Sequence, residues 1–519
     1  MFSRRHFMAL GSALGAGAGT AALGQSAEAI AASLRGQEKG IIAFYKGNGY
    51  KPIWTGNKNR SRRTALLNAL RTADDHGLPL GRYKIKSLSD AFKARDNANA
   101  AKAEVFASQI FVTYARDINS GVLTPARVDS EIAMRPGKAS AESLLKGVSK
   151  GNAKSFLAGL PPRHSDYKNL LKLKKKLAGR SDKSGQDVPY GTIKPGQSKN
   201  AVVLVRRKLK GFGYRNLGES KSYDDKLVAA VQDFQKKRGL TPDGVIGRAT
   251  VDAMNLGERS KLRHVVANLE RQRWLNFERG KRHIYVNLPE FAFRVFDNGR
   301  ETFYSRVVIG KAAYDFRSPE FVDKMTHMVI NPTWHVPASI AGKEYLPIIK
   351  NDPGYLARKG MRMLDENGNT VSPASIDLSG FDENNFPYNI KQRPDPGNAL
   401  GKVKFMFPNR FNIYMHDTPA KSLFGRETRA FSHGCIRVHK PFEFAYFLLA
   451  RQTGNAKGTF HSYLNTGREQ YVNLKSHVPV IIAYQTVVFD KKGGASYRGD
   501  IYGRNAKILR ALQNLGVAV

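Results

Sequence analysis

The chain has 519 residues, 41% of them hydrophobic and 10% aromatic, which is too apolar for a disordered polymer and long enough for about three domains. Its formal net charge of +41 and pI near 10.2 direct it to polyanions: nucleic acid, anionic lipid head groups or carboxylate-rich wall material. A single cysteine, Cys435, excludes an intramolecular disulfide.

The first residues carry Arg4-Arg5 ahead of a Gly/Ala-rich run that ends in Ala27-Glu28-Ala29. This resembles a bacterial twin-arginine export signal, residues 1–29, and implies a periplasmic product with no nucleic acid as partner. The run is shorter than the ~20 apolar residues of a membrane span. Outside the cytoplasm structural cysteines usually pair, so the lone thiol is either a small core residue or a reactive group.

Residues 30–185 predict a helical domain. Leu66, Leu70 and Ala73 share one helical face, as do Phe106, Ile110 and Tyr114, and then Leu170, Leu173 and Leu177. Lys172, Lys174, Lys175 and Lys176 fall largely outside the last stripe and read as a solvated face. A Ser/Gly/Pro-bearing linker leads to a small unit, residues 193–256, with faces Val202/Val205/Leu209/Phe212 and Leu227/Val231/Phe234. Through Pro195-Gly196, Phe234-Gln235, Gly239-Leu240, Asp243-Gly244, Gly247 and Ala249-Thr250 it is similar to the three-helix peptidoglycan-binding domain of wall enzymes. It is either a binder or a spacer.

A helical connector, residues 257–281, ends in "NLERQRWL". From 282 to 486 the apolar positions alternate as in strands, with Asp297-Asn298-Gly299 expected as a hairpin turn. Residues 338–401, rich in Gly, Pro, Asn and Asp, are too long for a structureless loop and predict an ordered lid. Residues 487–519 form a C-terminal segment. The fold class expected is α+β multidomain: a mainly β domain with a lid insertion, a helical scaffold and a small three-helix domain.

A thiol nucleophile needs a base and an oxyanion site. "NIYMHDTP" supplies His416 and "FSHGCIRVHKP" supplies Cys435, with Gly434 removing side-chain bulk beside the thiol. The absence of a second Cys or an HExxH spacing argues against zinc.

His416 followed by Ser432-His433-Gly434-Cys435-Ile436-Arg437 resembles the signature of L,D-transpeptidases, cysteine enzymes of bacterial cell-wall cross-linking. With "NPTWHVP", "NALGKVKFMFPN" and "DIYGR", the arrangement is similar to the large, lid-bearing branch of that family. The resemblance implies Cys435 as nucleophile, His416 as general base and then acid, and an oxyanion hole of the Gly434 and Cys435 N–H groups. It implies that Ser432 supports the loop and that His433 and Arg437 shape the site, Arg437 by pairing with a substrate carboxylate. His433 reads equally as an orienting residue, and Arg437 as a structural ion pair. Trp334, His335 and Asp417 are candidates for the cleft wall. No cofactor is implied. The implied partner is peptidoglycan, through its stem tetrapeptides and glycan, and the implied drug class is the carbapenems. Hydrolysis instead of transfer, an outer-membrane protein as acyl acceptor, and a non-catalytic wall-binding role remain alternatives.

Overall fold

The computed structural model describes residues 26–179, 186–238 and 240–518. Most of the expected export segment, including Arg4 and Arg5, lies outside the described residues, as does Gly239.

The first unit is helical. Leu66 and Leu70 of helix Arg60–Arg71 are fully buried, with Ala73 just beyond, as their spacing predicts. The long helix Asn97–Ser120 crosses this core and buries Ile110 and Tyr114. It also buries Glu104, whose carboxylate accepts hydrogen bonds of 2.6–3.0 Å from the backbone of Ile53, Trp54 and Thr55 and from two hydroxyls. In helix Ser165–Leu177, Lys172, Lys175 and Lys176 are exposed, while Lys174 reaches Asp74 at 3.3 Å.

The small unit has helices Asn200–Gly211, Asp225–Lys237 and Arg248–Met254 around a core that includes Val205, Leu209, Val231 and Phe234. Its Gln235 is buried because its amide closes the turn that follows. Oε1 accepts the Gly244 N–H at 2.9 Å, and Nε2 donates to Asp243 Oδ1 at 3.0 Å. Gly244 sits at φ +71°, where a side chain is disfavoured.

The β unit begins with β1 (Arg282–Asn287), β2 (Ala292–Asp297), β3 (Arg300–Gly310) and β4 (Phe321–Ile330). Asp297 pairs with Arg300 across Asn298 (φ 48°) and Gly299 (φ 78°), the two-residue turn expected between β2 and β3. The lid contributes β5 (Trp334–His335), β6 (Met361–Leu364), β7 (Thr370–Val371) and β8 (Asn389–Gln392), in the order β5-β8-β6-β7. It starts earlier than its composition indicates, because Trp334 and His335 pair with Gln392 and Lys391 in the lid sheet. The chain returns through β9 (Val403–Met406), β10 (Met415–His416), β11 (Ala430–Ser432), β12 (Ile436–Val438) and β13 (Gln470–Ala483), then the hairpin β14 (Val487–Phe489) and β15 (Ala495–Tyr497).

The main sheet closes on itself: β3-β12-β10-β9-β4-β13-β1-β2, with β2 pairing back to β3 and β11 also attached to β3. Alternation along β1 and β13 sends Ile284, Val286, Val480 and Ile482 inward to the barrel core. Ile481 and Ala483 point outward, against Val266, Ala267 and Trp274 of helix Glu258–Trp274 and Ile508 and Leu512 of helix Arg504–Asn514.

That outer contact makes the expected connector a buried spine. Residues Val265–Trp274 are all buried, charged side chains included. Arg271 reaches Glu320 at 2.5 Å, Arg504 reaches the same carboxylate at 3.2 Å, and Arg273 pairs with Glu270 at 2.6 Å. Removing one partner of such a pair leaves an uncompensated charge, at about 3–5 kcal/mol. Glu320→Ala strands the Arg271 guanidinium and leaves Arg504 with only Glu131, 3.2 Å away, so it should lower the denaturation midpoint sharply. Glu320→Gln should fall between it and the parent chain, and a melting profile unchanged by Glu320→Ala would contradict this assignment.

Candidate active site

Strands β10 and β12 run parallel, with Met415 opposite Ile436 and His416 opposite Arg437. Successive side chains face opposite sides of a strand. Met415 and Ile436 enter the barrel core, so Tyr414, His416, Cys435 and Arg437 share the other face. That face opens on a cleft of about 870 Å³, whose opposite wall includes lid residues from Trp334 to Tyr345.

Nδ1 of His416 lies 2.5 Å from the Asp417 carbonyl oxygen. A carbonyl only accepts, so Nδ1 carries the proton and Nε2 is left as a base. Burial pushes the His416 pKa down to about 3, helped by the positive charge of Arg437. Burial pushes the Cys435 thiol up to about 11, opposed by the Tyr414 backbone N–H and hydroxyl and by Arg437. At neutral pH the pair therefore rests as thiol and neutral imidazole. The Cys435 thiol donates to the Asn412 carbonyl, 3.6 Å away.

The loop before the thiol is tightly bonded. Gly434 has φ +109°, a conformation suited to glycine, and a Cβ there would stand 3.1 Å from Ile413. Ser432 Oγ donates to the Cys435 carbonyl at 2.5 Å and accepts the Gly434 N–H at 3.2 Å. This corrects the expected oxyanion hole: the Gly434 N–H is already engaged, whereas the Cys435 N–H has no partner among the described residues. Ser318 Oγ donates to the Gly434 carbonyl at 2.6 Å, and Tyr502 Oη donates to the Gly310 carbonyl at 2.7 Å.

Arg437 reaches into the cleft with no carboxylate partner among the described residues, and its buried Nε makes no hydrogen bond to any of them. The alternative of a structural ion pair is not what the geometry contains. His433 lines the cleft but faces the lid, with Nε2 2.5 Å from Glu344 Oε1. The neighbouring Lys343 pairs with Asp315 at 3.1 Å, a second tie between lid and barrel. Trp334 and His335 line the cleft, as expected.

Asp417 does not line it, and this expectation is corrected: the residue after His416 falls on the opposite strand face. Its buried carboxylate accepts the Thr418 N–H at 2.7 Å and the Lys402 N–H at 2.9 Å, and pairs with Lys421.

Three contributors escaped the sequence reading. Tyr414 is two residues before His416, so β alternation was a usable signal; its hydroxyl lies between the thiol and the Trp334 indole N–H. Ser318 and Glu344 reach the site only through tertiary packing and carry no local signal.

With this geometry in hand, the likeness to known proteins is specific. Residues 281–475 match the family described as "L,D-transpeptidase catalytic domain", residues 39–173 "Scaffold domain", and residues 198–254 "Putative peptidoglycan binding domain". The chain thus carries an L,D-transpeptidase catalytic domain joined to a scaffold and a peptidoglycan-binding domain. Over 225 residues it is 35% identical to a Haemophilus influenzae protein named "Putative L,D-transpeptidase", covering 43% of this chain and 45% of that one. The chain therefore matches less than half the length of this curated relative. Among solved structures, an L,D-transpeptidase from Mycobacterium smegmatis is 12% identical, with 39% of this chain and 58% of that one covered and a TM-score of 0.19. Another, from Xylanimonas cellulosilytica, is 14% identical, with 57% and 98% covered and a TM-score of 0.17.

The resting protonation state has a measurable signature. Alkylation of Cys435 by iodoacetamide should be slow at neutral pH and rise about tenfold per pH unit, levelling only as the medium approaches the thiol pKa of about 11. A fast rate that stays level between about pH 6 and 8 would instead indicate a preformed thiolate–imidazolium pair.

Proposed function

We propose that this protein is a periplasmic peptidoglycan L,D-transpeptidase that links third-position residues of neighbouring stem peptides through a Cys435 thioester. The observation that supports the reading best is the shared face of β10 and β12: a thiol, an imidazole with a free Nε2 and an unpaired guanidinium in one cleft.

In this reading Arg437 receives a carboxylate of the donor stem, a charge-assisted pairing suited to its unbonded Nε. As Sγ attacks the carbonyl at the L-centre of the third residue, His416 Nε2 takes the thiol proton. The Tyr414 hydroxyl and N–H stabilise charge on sulfur, and the Cys435 N–H is available to the oxyanion. Collapse of the tetrahedral intermediate breaks the bond to terminal D-Ala, whose amine leaves with the proton from His416. The thioester then passes the acyl group to an acceptor amine, which loses a proton to His416, and the thiol is restored. The closed lid limits water, which favours transfer over hydrolysis.

Cys435→Ala should abolish product formation, a loss of at least about a thousandfold. Arg437→Lys should raise KM for stem tetrapeptide by about tenfold with a smaller effect on kcat. Mass spectrometry of products from defined tetrapeptides and from purified wall provides the test. Cross-linked dimer supports the proposal, free acid alone indicates a hydrolase, and normal turnover by Cys435→Ala overturns the mechanism.

A carbapenem, with its activated carbonyl, should leave one drug-derived mass on the peptide carrying Cys435 and none on Cys435→Ala. An adduct elsewhere, or none at saturating drug, would contradict the site.

A further inference from the structure

A second sizeable concavity lies in the helical unit and shares no residue with the catalytic cleft. It encloses about 1130 Å³ between helix Arg60–Arg71 on one side and helices Ala153–Ala158 and Ser165–Leu177 on the other. Its rim carries Lys58, Arg60, Lys154, Arg163 and Lys168, all exposed, and no Asp or Glu lines it. None of the five cations pairs with a carboxylate among the described residues. This is not the rule for the helical unit, where Arg82, Arg116, Lys146 and Lys174 each hold one.

Beneath the charged rim the walls are mixed. Ala65, Ala69, Leu157 and Leu171 supply apolar surface, while Thr64 and Asn68 supply exposed polar groups one turn apart. The base is fixed by a relay: Arg273 donates to Tyr167 Oη at 3.3 Å, and Tyr167 Oη lies 2.9 Å from His76 Nδ1. Burial pushes the His76 pKa down to about 4, so its ring is neutral. Tyr167 Oη accepts from Arg273 and stands against His76 Nδ1, so the base of the groove presents a neutral, hydrogen-bonded ring.

The chemistry selects among polyanions. The apolar wall residues Ala65, Ala69 and Leu171 are half-buried and Leu157 is buried, which leaves a flat bilayer little to contact. The tyrosines that border the groove, Tyr114 and Tyr167, are buried, so no exposed aromatic offers a stacking platform for nucleobases. A polymer with pyranose C–H faces, many hydroxyls and regularly spaced carboxylates satisfies the walls, the polar pair and the rim together.

We infer that this groove binds a carboxylate-bearing glycan–peptide strand of peptidoglycan, holding polymer at a second place away from Cys435 without processing it. The inference rests on the proposed function for the identity of the polymer, but not for the groove's charge or shape.

The test compares full-length variants with soluble, uncross-linked glycan–tetrapeptide strands at about 0.15 M salt, where diffuse attraction beyond ~8 Å is screened. Lys58→Gln, Arg60→Gln and Arg163→Gln together should weaken binding by about tenfold, equivalent to about 1.4 kcal/mol. A control removing equal charge elsewhere, Lys102→Gln, Lys457→Gln and Arg510→Gln, should change it less than about twofold, and amidating the strand carboxylates should mimic the groove variant. Carbodiimide-activated strands should couple to Lys154 and Lys168 ahead of other exposed lysines. Equal losses in the two triple variants, or coupling spread evenly over the surface, would overturn the inference. So would a groove variant that loses binding to phosphatidylglycerol vesicles but not to strands. Acylation of Cys435 by a small stem peptide, followed in parallel, should be unchanged in the groove variant. Absence of acylation in the parent chain with groove-dependent strand binding would sink the proposed function while leaving the groove standing.

Discussion

The architecture turns on one buried carboxylate. Glu320, at the end of the segment entering β4, holds Arg271 of the spine helix and Arg504 of the C-terminal helix at once. Both guanidiniums also lie over tyrosine rings, Arg271 over Tyr484 at 4.8 Å and Arg504 over Tyr502 at 4.8 Å. Charges out of water are tolerated only when paired and packed in this way. The arrangement therefore fixes three chain-distant segments relative to one another, and the barrel is seated against the helical unit through them.

From there a chain of hydrogen bonds reaches the chemistry. Arg504 also donates to the Ser318 carbonyl at 3.0 Å, and the Ser318 N–H donates to Tyr502 Oη at 3.2 Å. Ser318 Oγ accepts the Gly310 N–H at 3.0 Å and donates to the Gly434 carbonyl. The loop carrying Cys435 is thus braced from behind by Tyr502 and Arg504 of the C-terminal segment. The C-terminal segment is part of the catalytic unit's support and not an appendage.

Much of this was legible in the sequence wherever one apolar face meets one core. The stripes through Leu66 and Leu70 and through Val231 and Phe234 are buried as their spacing predicts, and the Asn298-Gly299 turn forms because both residues accept positive φ. The spine helix defeats the same reasoning. "ERQR" at 270–273 has the composition of a solvated face, yet it is enclosed because Glu270 and Arg273 pair with each other and Arg271 finds Glu320 from a distant part of the chain. Around the thiol, the signature marks His416 and Cys435, but only alternation along β10 separates Tyr414, which faces the cleft, from Asp417, which does not. The Gly434 N–H shows a further boundary: which backbone donor is free depends on where the Ser432 hydroxyl points, and residue type does not encode that.

Asp417 also bears on how the lid moves. Its carboxylate takes the Lys402 N–H at the point where the lid rejoins the barrel, and a Cβ on Gly401 would fall 2.3 Å from that same carboxylate. The return end of the lid is therefore pinned one residue from His416. The entry end is pinned at the same place, the Asn331 N–H donating to the Lys402 carbonyl at 2.9 Å, and the body of the lid is tied down only by the side-chain pairs Lys343–Asp315 and Glu344–His433, which can part without disturbing a strand. Both edges of the lid are thus hung beside the base, and its face is latched beside the thiol. Parting that latch alone would free the nucleophile's side of the cleft while the base stayed clamped to the frame.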